Sequence, residues 1–469
     1  MKLKTSALLI AGALMGAATL PAQANNDSMM DLLQVLRDKG TISAEDYQLL
    51  SNTVAADKEA AEAEKAEMKQ EVADATANMP VIETNGKLVV SDKEGNWEFQ
   101  PIGRVMWDAI DADADDFDVY SGDGDYNGTE LRRARLGFQG KIYNMGYKFE
   151  ADFAGGGASI KDAYVSYGNK LTDTVKYDIK LGQSHIPFGL NTKISSKYMS
   201  FMDRPLFADS VISPARQSGG VVSLNDKDYK WLFSAGLSVG EFGDDNDFQD
   251  KDETTEDGSG TTFAMRGSFL PYQDDKNLIQ IGAGYLNVSS RDEGFSFSQH
   301  LVAHPDHTSI RSGSIGENEF DGSDAFTVDA MGIFGSFHAM AEYLDYSAES
   351  KLANADIDIN GYAIEAGYFL TGESLKWKKG YTSGISPKSK YGAWQVAARF
   401  ESLEIDNDAL SYDNEVDKFT IGVNYYPTKN TRLMLNYDKV TSWDGQNGLE
   451  AAGADSEPSA LKFRAQAFW

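Results

Sequence analysis

From about residue 98 to the last residue, apolar and polar side chains alternate with a period of two, the pattern of strands whose two faces meet different surroundings. Tyr147, Phe149, Ala151 and Phe153 alternate with Lys148, Glu150 and Asp152, and Val175, Tyr177, Ile179 and Leu181 alternate with Lys176, Asp178 and Lys180. The final run sets Leu461, Phe463, Ala465, Ala467 and Trp469 on one face and Lys462, Arg464 and Gln466 on the other, and it ends on an aromatic. The region divides into sixteen candidate strands, roughly 101–110, 130–142, 145–154, 160–168, 175–184, 217–225, 229–239, 261–270, 278–289, 323–333, 336–348, 357–370, 390–404, 415–426, 431–441 and 459–469. Most have the ~9–11 residues of a tilted membrane-crossing strand. Short turns, at Asn144, Asn225 to Asp228, Gly335 and Thr428 to Asn430, alternate with long polar loops at 185–216, 240–260 and 290–322. That alternation predicts turns on the periplasmic side and loops outside. One link departs from it: residues 371–389, with Gly372, Gly380 and Pro387, fall on the short-turn side yet are long.

A strand in hydrocarbon must have its backbone paired and its outward side chains apolar, which a closed barrel achieves. A soluble sandwich also alternates. It does not combine sixteen strands, alternating loop lengths, an export signal and Tyr or Phe recurring near strand ends. The expected fold is all-β, a sixteen-stranded antiparallel transmembrane β-barrel over residues 98–469.

Ahead of the barrel the period is helical. Residues 28 to 39 form an amphipathic helix through Met29, Leu32, Leu33 and Leu36, closed by Gly40. Ser43 with Asp46 resembles a capping box that opens a second helix running to about Ala77. Tyr47, Val54, Ala61, Met68 and Ala75 recur every seven residues, but the partner positions Leu50, Asp57, Glu64 and Glu71 are mostly acidic. The segment 25–80 is expected to be a periplasmic helical element, either a weak coiled coil or a solvated spacer. At the start, Lys2 and Lys4 precede an apolar run from Ala7 to Leu20 and then Pro21-Ala22-Gln23-Ala24, which predicts a secretory signal peptide over residues 1–24 with cleavage after Ala24.

Composition narrows the function. Mean hydropathy is −0.41 and no later stretch is long and apolar enough for a membrane helix. There is no cysteine, which removes disulfides and thiolate chemistry. With 72 acidic and 43 basic residues the formal charge is −29, which argues against a nucleic-acid partner. The acids crowd into loop stretches such as Asp111 to Asp125 and Glu241 to Asp257, where bound divalent cations could bridge lipopolysaccharide, whereas the bases recur inside the alternating segments.

The inward face carries Arg104, Arg133, Arg135, Lys141, Lys148, Lys176, Lys180, Arg266, Arg399, Lys418, Arg432, Lys462 and Arg464. It also carries Asp108, Glu150, Asp152, Asp162, Asp178, Asp329, Glu342, Glu365, Glu401 and Asp438. Arg and Lys in a narrow wall select anions; the alternative is that these charges neutralise one another and stiffen the wall. The loop from His185 to Arg216 holds Pro187, Gly189, Pro205 and Pro214 with Phe188, Phe201 and Phe207. It is expected either to fold into the lumen and set the constriction or to cap the barrel between subunits. The pore-lining and anion-binding candidates are therefore Arg104, Arg133, Arg135, Lys148, Lys193, Lys197, Arg204, Arg216, Arg266 and Arg399.

Two other groupings are weaker. Asp123, Asp125, Asn127 and Gly128 match the start of a calcium loop, but the twelfth position is Ala134. His300, His304 and His307 have metal-like spacing, but Pro305 marks a loop. No nucleophile elbow, HExxH or phosphate-binding glycine loop is present, so the chain is not expected to be an enzyme, and neither cofactor nor metal is expected.

A distributed set of motifs resembles the phosphate-selective porin O and P family. It comprises Glu130-Leu131-Arg132-Arg133-Ala134-Arg135-Leu136-Gly137, Glu150-Ala151-Asp152-Phe153-Ala154-Gly155, Asp162-Ala163-Tyr164-Val165, and Gly182-Gln183 through Pro187-Phe188-Gly189. Further on stand Tyr368-Phe369-Leu370-Thr371-Gly372-Glu373, Gly392-Ala393-Trp394, Ala397-Ala398-Arg399, Gly422-Val423-Asn424-Tyr425-Tyr426 and Arg464-Ala465-Gln466. The resemblance covers about residues 100 to 469 and implies a homotrimer of sixteen-stranded barrels in the outer membrane of a Gram-negative bacterium, with a lumen loop and a basic anion path. Arg132, Arg133 and Arg135 match the family's basic motif, while His185 stands where the family often has lysine. The expected function is an anion-preferring porin for small solutes such as phosphate, held in outer-membrane lipid and lipopolysaccharide. The alternatives are a general or cation-preferring porin and, in another class, a plugged barrel acting as a structural or adhesive surface protein.

Overall fold

The computed structural model describes residues 22–76, 79–84, 86–113, 126–239, 260–289, 294–304, 309–407, 412–444 and 457–469. The start of the signal segment, Asp123 and Asp125 of the calcium-like stretch, nearly all of loop 240–260 and His307 lie outside these. The chain separates into two units, Met1–Gln100 and Pro101–Trp469.

In the first unit, α1 (Ala22–Asp38) and α2 (Ala44–Thr76) are joined at a capping box. The Asp46 amide donates to Ser43 Oγ at 3.0 Å and the Ser43 amide to Asp46 Oδ2 at 3.4 Å. Gly40 supplies the left-handed turn at φ +70°, and Arg37 lies 4.6 Å above the Tyr47 ring. Val81–Thr84 and Leu88–Ser91 follow as a short antiparallel hairpin.

The second unit is the barrel. Its strands are β1 (Trp97–Asp113), β2 (Tyr126–Ile142), β3 (Met145–Asp152), β4 (Ser159–Lys170), β5 (Val175–His185), β6 (Arg216–Asp226), β7 (Trp231–Val239) and β8 (Thr261–Gln273). They continue as β9 (Asn277–Ser289), β10 (Phe320–Phe334), β11 (Phe337–Ser350), β12 (Ile357–Phe369), β13 (Ala393–Asn407), β14 (Tyr412–Thr428), β15 (Thr431–Asp444) and β16 (Ser459–Phe468). Neighbours in sequence pair antiparallel, and β16 returns to β1 in the register Arg464↔Asp108, which closes a barrel of sixteen strands. The last residue is sealed on: the Trp469 amide donates to the Gly103 carbonyl at 3.1 Å, and the Trp469 ring occupies the space a side chain at Gly103 would need.

Several strands run longer than expected, and their extra length has its own pattern. Toward the turn side of β12 and β13 the inward residues are polar, as at Glu365 and Arg399, and the outward ones apolar, as at Ile364, Val396 and Tyr368. Toward the loop side the faces exchange character. Leu344, Tyr346, Ile357, Ile359, Leu403 and Ile405 point inward and are buried, while Asp345, Asp358, Glu404 and Asp406 are exposed outside. Carboxylates on an outer wall cannot face hydrocarbon. The wall therefore rises past the lipid on this side, where its interior becomes a protein core.

Three segments fill that interior. Residues 186–215, including α3 (Leu190–Lys193), bury Phe188, Phe201, Phe207 and Ile212 against the wall. Gly361 makes room for one of them, since a Cβ there would lie 2.9 Å from Phe207. Each buried Phe contributes about 2–3 kcal/mol of apolar burial. The second is the loop between β9 and β10, expected to lie outside. Its hairpin, Phe295–His300 paired with Ser309–Ile315, instead packs Phe295, Phe297, Leu301, Val302 and Ile310 onto the apolar upper wall. The third is the anomalous link 370–392. It turns into the lumen from the turn side, where Leu375 and Ile385 join Leu270, Leu278, Met331 and Phe369, and Trp377 Nε1 donates to Gln280 Oε1 at 2.8 Å. Its length reflects a hairpin packed inside the barrel, with the strand count unchanged.

Candidate functional site

The inward charges fall into two sets. On β13 to β16 and their neighbour β1, the cations hold the inserted segments. Arg464 forms a two-pronged pair with Asp108 at 2.7 and 2.6 Å and donates to the Met202 carbonyl at 2.6 Å. Lys462 pairs with Asp438 and with Asp203 at 2.7 Å and donates to the Val302 carbonyl at 2.6 Å. Lys418 reaches the Leu301 carbonyl at 2.9 Å and Glu401 at 3.1 Å. Arg432 donates to the Met199 carbonyl, and to Gln466 Oε1 at 3.0 Å. Arg399 pairs with Glu401 at 2.9 Å, donates to the Asp203 carbonyl at 2.9 Å and lies 4.8 Å over the Phe201 ring.

Two expected pore-lining candidates are thus reassigned. Arg399 is a buried loop anchor. Arg266 is 3% exposed and paired with Asp329, with Nη2 to Oδ1 at 2.9 Å. Neither presents free donors to a solute, because desolvated guanidinium groups require fixed partners. Arg204, also a candidate, is turned back into its own loop, donating to Asp209 at 2.8 Å and to the carbonyls of Asn191 and Ile194 at 3.0 and 2.7 Å.

On β1 to β6 the charges form a ladder. Arg104 pairs with Glu150 at 2.9 Å and donates to Ser196 Oγ at 2.9 Å. Arg135 pairs with Asp152 at 2.7 Å and Glu150 at 3.4 Å. Lys148 bridges Glu150 at 3.2 Å and Asp162 at 2.5 Å, and Arg216 adds to Asp162 at 3.2 Å. Arg104, Arg135, Lys148 and Arg216 are therefore brought together as one paired network, the wall-stiffening arrangement, with Lys148 the most exposed of the four.

Three candidates remain open. Arg133 has no carboxylate within salt-bridge distance among the described residues, and it borders a cavity of about 400 Å³ at the loop-side mouth with Glu130, Arg132, Asp152, Lys161 and His304. Lys193 and Lys197 lie on the inserted loop, half-buried and likewise without a carboxylate at salt-bridge distance among the described residues. Burial, reinforced by Lys180, Arg266 and Arg216, pushes the Lys193 ammonium well below its usual range. Burial and then Arg104 bring Lys197 down to about 8. The loop's acids move the other way. Burial would raise Asp203, but Lys462 and Arg464 outweigh it and hold the carboxyl well below the normal value. Asp209 is held at about 2, where Arg204 and Arg133 overcome burial.

Sequence reasoning placed Lys180 on the inner face without choosing it as a candidate, and it passed over Lys161 and Lys379. Lys161 escaped because a register shift between Glu150 and Ala151, opposite Ile160 and Asp162, breaks the alternation that assigns faces. Lys379 sits at the tip of the inserted link. Of the histidine grouping His300 and His304 are described: His304 Nδ1 lies 3.1 Å from Glu130, the His300 ring is 6.0 Å away, and no metal-holding group of three or more His, Asp or Glu occurs among the described residues.

Residues 103–469 match the family model described as phosphate-selective porin O and P. The chain belongs to this family. It is an outer-membrane porin barrel. Among relatives, Porin O of Pseudomonas aeruginosa is 24% identical over 408 residues, covering 78% of this chain and 89% of that protein. An uncharacterized protein of Caulobacter vibrioides is 24% identical over 352 residues, covering 73% and 68%. Similar solved structures include an anion-selective porin from Comamonas acidovorans, at 13% identity and TM-score 0.49 over 80% of this chain and 100% of that one. The outer-membrane channel DcaP of Acinetobacter baumannii aligns at 14% identity and TM-score 0.49, covering 80% and 98%.

Proposed function

We propose that this porin passes small anions, phosphate or other oxyanions among them, along an off-centre path on the β2 to β5 side of the lumen, in each subunit of a homotrimer reached after removal of the signal peptide. The observation that carries the reading is the division of labour among the cations. Those on β13 to β16 spend their donors on carboxylates and loop carbonyls, whereas Arg133, Lys193 and Lys197 have no carboxylate within salt-bridge distance among the described residues, Lys193 giving one donor to the His185 carbonyl at 3.4 Å. A solute drawn to the mouth cavity meets Arg133 first and then the loop lysines. Weak contacts in series allow an ion both to arrive and to leave. The Arg104–Glu150–Arg135–Asp152 ladder is the rigid backing of the path. Its acids are already neutralised by partners, so they repel a passing anion less than their number suggests.

The test is the reversal potential of the purified protein in a planar bilayer under a potassium chloride gradient, repeated with added phosphate. The expected result is an anion-signed potential with current reduced by phosphate, and a weaker response in Arg133→Ala. A cation-signed potential without reduction would mean that the acidic loops govern passage, and absence of current would favour a plugged surface protein.

A further inference from the structure

The open lysines share a surrounding that anion attraction does not require. Lys180 Nζ lies 5.3 Å from the Tyr164 ring centre, Lys193 5.8 Å from Tyr381, Lys197 5.6 Å from Tyr198 and 5.3 Å from Phe468, and Lys379 5.6 Å from Tyr229. None of these four lysines has a carboxylate within salt-bridge distance among the described residues. The rings come from different elements: Tyr164 from the inward face of β4, Tyr198 from the inserted loop, Tyr381 from the inserted link and Tyr229 from the turn before β7. All four tyrosines are half-buried. The link is shaped for this placement. Lys379 at φ +55° and Gly380 at φ +89° form the two-residue turn between Trp377–Lys378 and Tyr381–Thr382, and a Cβ at Gly380 would lie 3.1 Å from Leu232 of β7.

A ring face steadies an ammonium through its quadrupole and takes none of its N–H donors. A carboxylate partner, by contrast, occupies those donors and cancels the charge. Lys193 gives one donor to the His185 carbonyl at 3.4 Å and has two more; each lysine is thus held in place and left able to bind, beside an aromatic surface that stacks on planar groups. A small hydrated oxyanion uses the ammonium and gains nothing from the ring. An anion carrying a planar ring uses both.

We propose that the path is selective for aromatic carboxylates, which bind by carboxylate to Lys193 or Lys180 and by ring to Tyr381 or Tyr164. This rests on the anion-porin reading and names its substrate class. Lys379 with Tyr229 repeats the same pairing at the turn-side exit, giving a solute successive sites of one kind.

The experiment uses the full-length protein in planar bilayers in potassium chloride, titrated separately with benzoate, cyclohexanecarboxylate, acetate and phosphate while the chloride current is read. Benzoate and cyclohexanecarboxylate match in charge and nearly in size, and only benzoate has a π face. Half-reduction of current by benzoate is expected at about fivefold lower concentration than by cyclohexanecarboxylate or phosphate, a ring–ring and ring–cation difference of about 1 kcal/mol. Tyr381→Leu and Tyr164→Leu should each remove most of that advantage while leaving the response to phosphate within about twofold. Equal potency of benzoate and cyclohexanecarboxylate, or phosphate acting as strongly as benzoate, overturns the proposal, and this comparison needs no variant to fold. A cation-signed reversal potential in the same preparation would instead defeat the underlying anion reading, so the two failures are told apart.

Discussion

The lower lumen wall has two sides built from the same residue types and used differently. On β13 to β16, Arg399, Lys418, Arg432, Lys462 and Arg464 are buried, and each donates to a carbonyl of an inserted segment. On β2 to β5, Arg133 and Lys180 have no carboxylate within salt-bridge distance among the described residues, and the ladder of Arg135, Lys148, Glu150, Asp152 and Asp162 is satisfied within the wall. A cation in a lumen is therefore not evidence of a solute path. What distinguishes the two sides is whether its donors are already occupied.

The sharpest way to break the comparison is on the anchoring side. Arg464→Met leaves Asp108 buried and unpaired and removes the donor to the Met202 carbonyl, at a cost of about 3–5 kcal/mol. The folded form should convert at lower temperature in heat-modifiability electrophoresis, and conductance should rise and become noisy as loop 186–215 loosens. Arg464→Met combined with Asp108→Leu should recover most of the thermal loss. If the single variant is as stable as the parent, the anchoring account is wrong.

A smaller disturbance is expected at Glu342, which accepts the amides of Leu190 and Asn191 at 2.5 and 2.8 Å and the Asn191 side chain at 2.8 Å. In Glu342→Gln one acceptor becomes a donor facing a donor, a loss of about 1–3 kcal/mol. Single-channel records should show more frequent closures at unchanged reversal potential. A changed reversal potential would mean that this anchor also acts on the path.

On the path side, no large stability change is expected. Arg133→Ala alone should lower the anion-to-cation permeability ratio about two- to threefold, the size of one partly screened charge at several ångströms. Neutralising Arg133, Lys193 and Lys197 together should bring the reversal potential close to zero, since the charges of the ladder that remain are paired with one another. A triple variant that stays as anion-selective as the parent would assign selectivity to other residues.

How much of this could be read from the sequence differs between wall and contents. The barrel was legible because lipid and lumen impose opposite demands on adjacent residues, as in Tyr147 to Asp152, and this repeats through sixteen strands. The upper wall was legible in part: Leu344, Tyr346, Ile357, Ile359, Leu403 and Ile405 keep the alternation while exchanging its faces, and that exchange marks where lipid ends. The packing of the loop-side hairpin was not legible. Phe295 and Phe297 suit a hairpin in any dry place, and nothing local says that the place is the lumen. The candidates divided for a similar reason. Arg266, Arg399 and Arg133 carry the same side chain, and only long-range register shows that Asp329 meets Arg266 and that the Asp203 carbonyl of the inserted loop meets Arg399, while no carboxylate among the described residues lies within salt-bridge distance of Arg133.

The smallest effect expected is on pH, and variants at Lys197 isolate the part of it that belongs to one charge. Lys197 lies on the inserted loop, where burial and Arg104 bring its ammonium down to about 8. A lowered lysine is charged below that value and neutral above it, so anion preference should be full near pH 6.5 and decline as pH rises through about 8. An unperturbed lysine would hold its charge to about pH 10.4 and show no change in that window. Lys197→Arg keeps the charge and should flatten the profile, whereas Lys197→Gln should give at every pH the lower preference that the parent reaches only in alkali. The reversal potential measured from pH 6.5 to 9 in the three proteins decides the matter. If the parent and Lys197→Arg decline alike, another group is titrating, and the path does not run past the Lys197 ammonium.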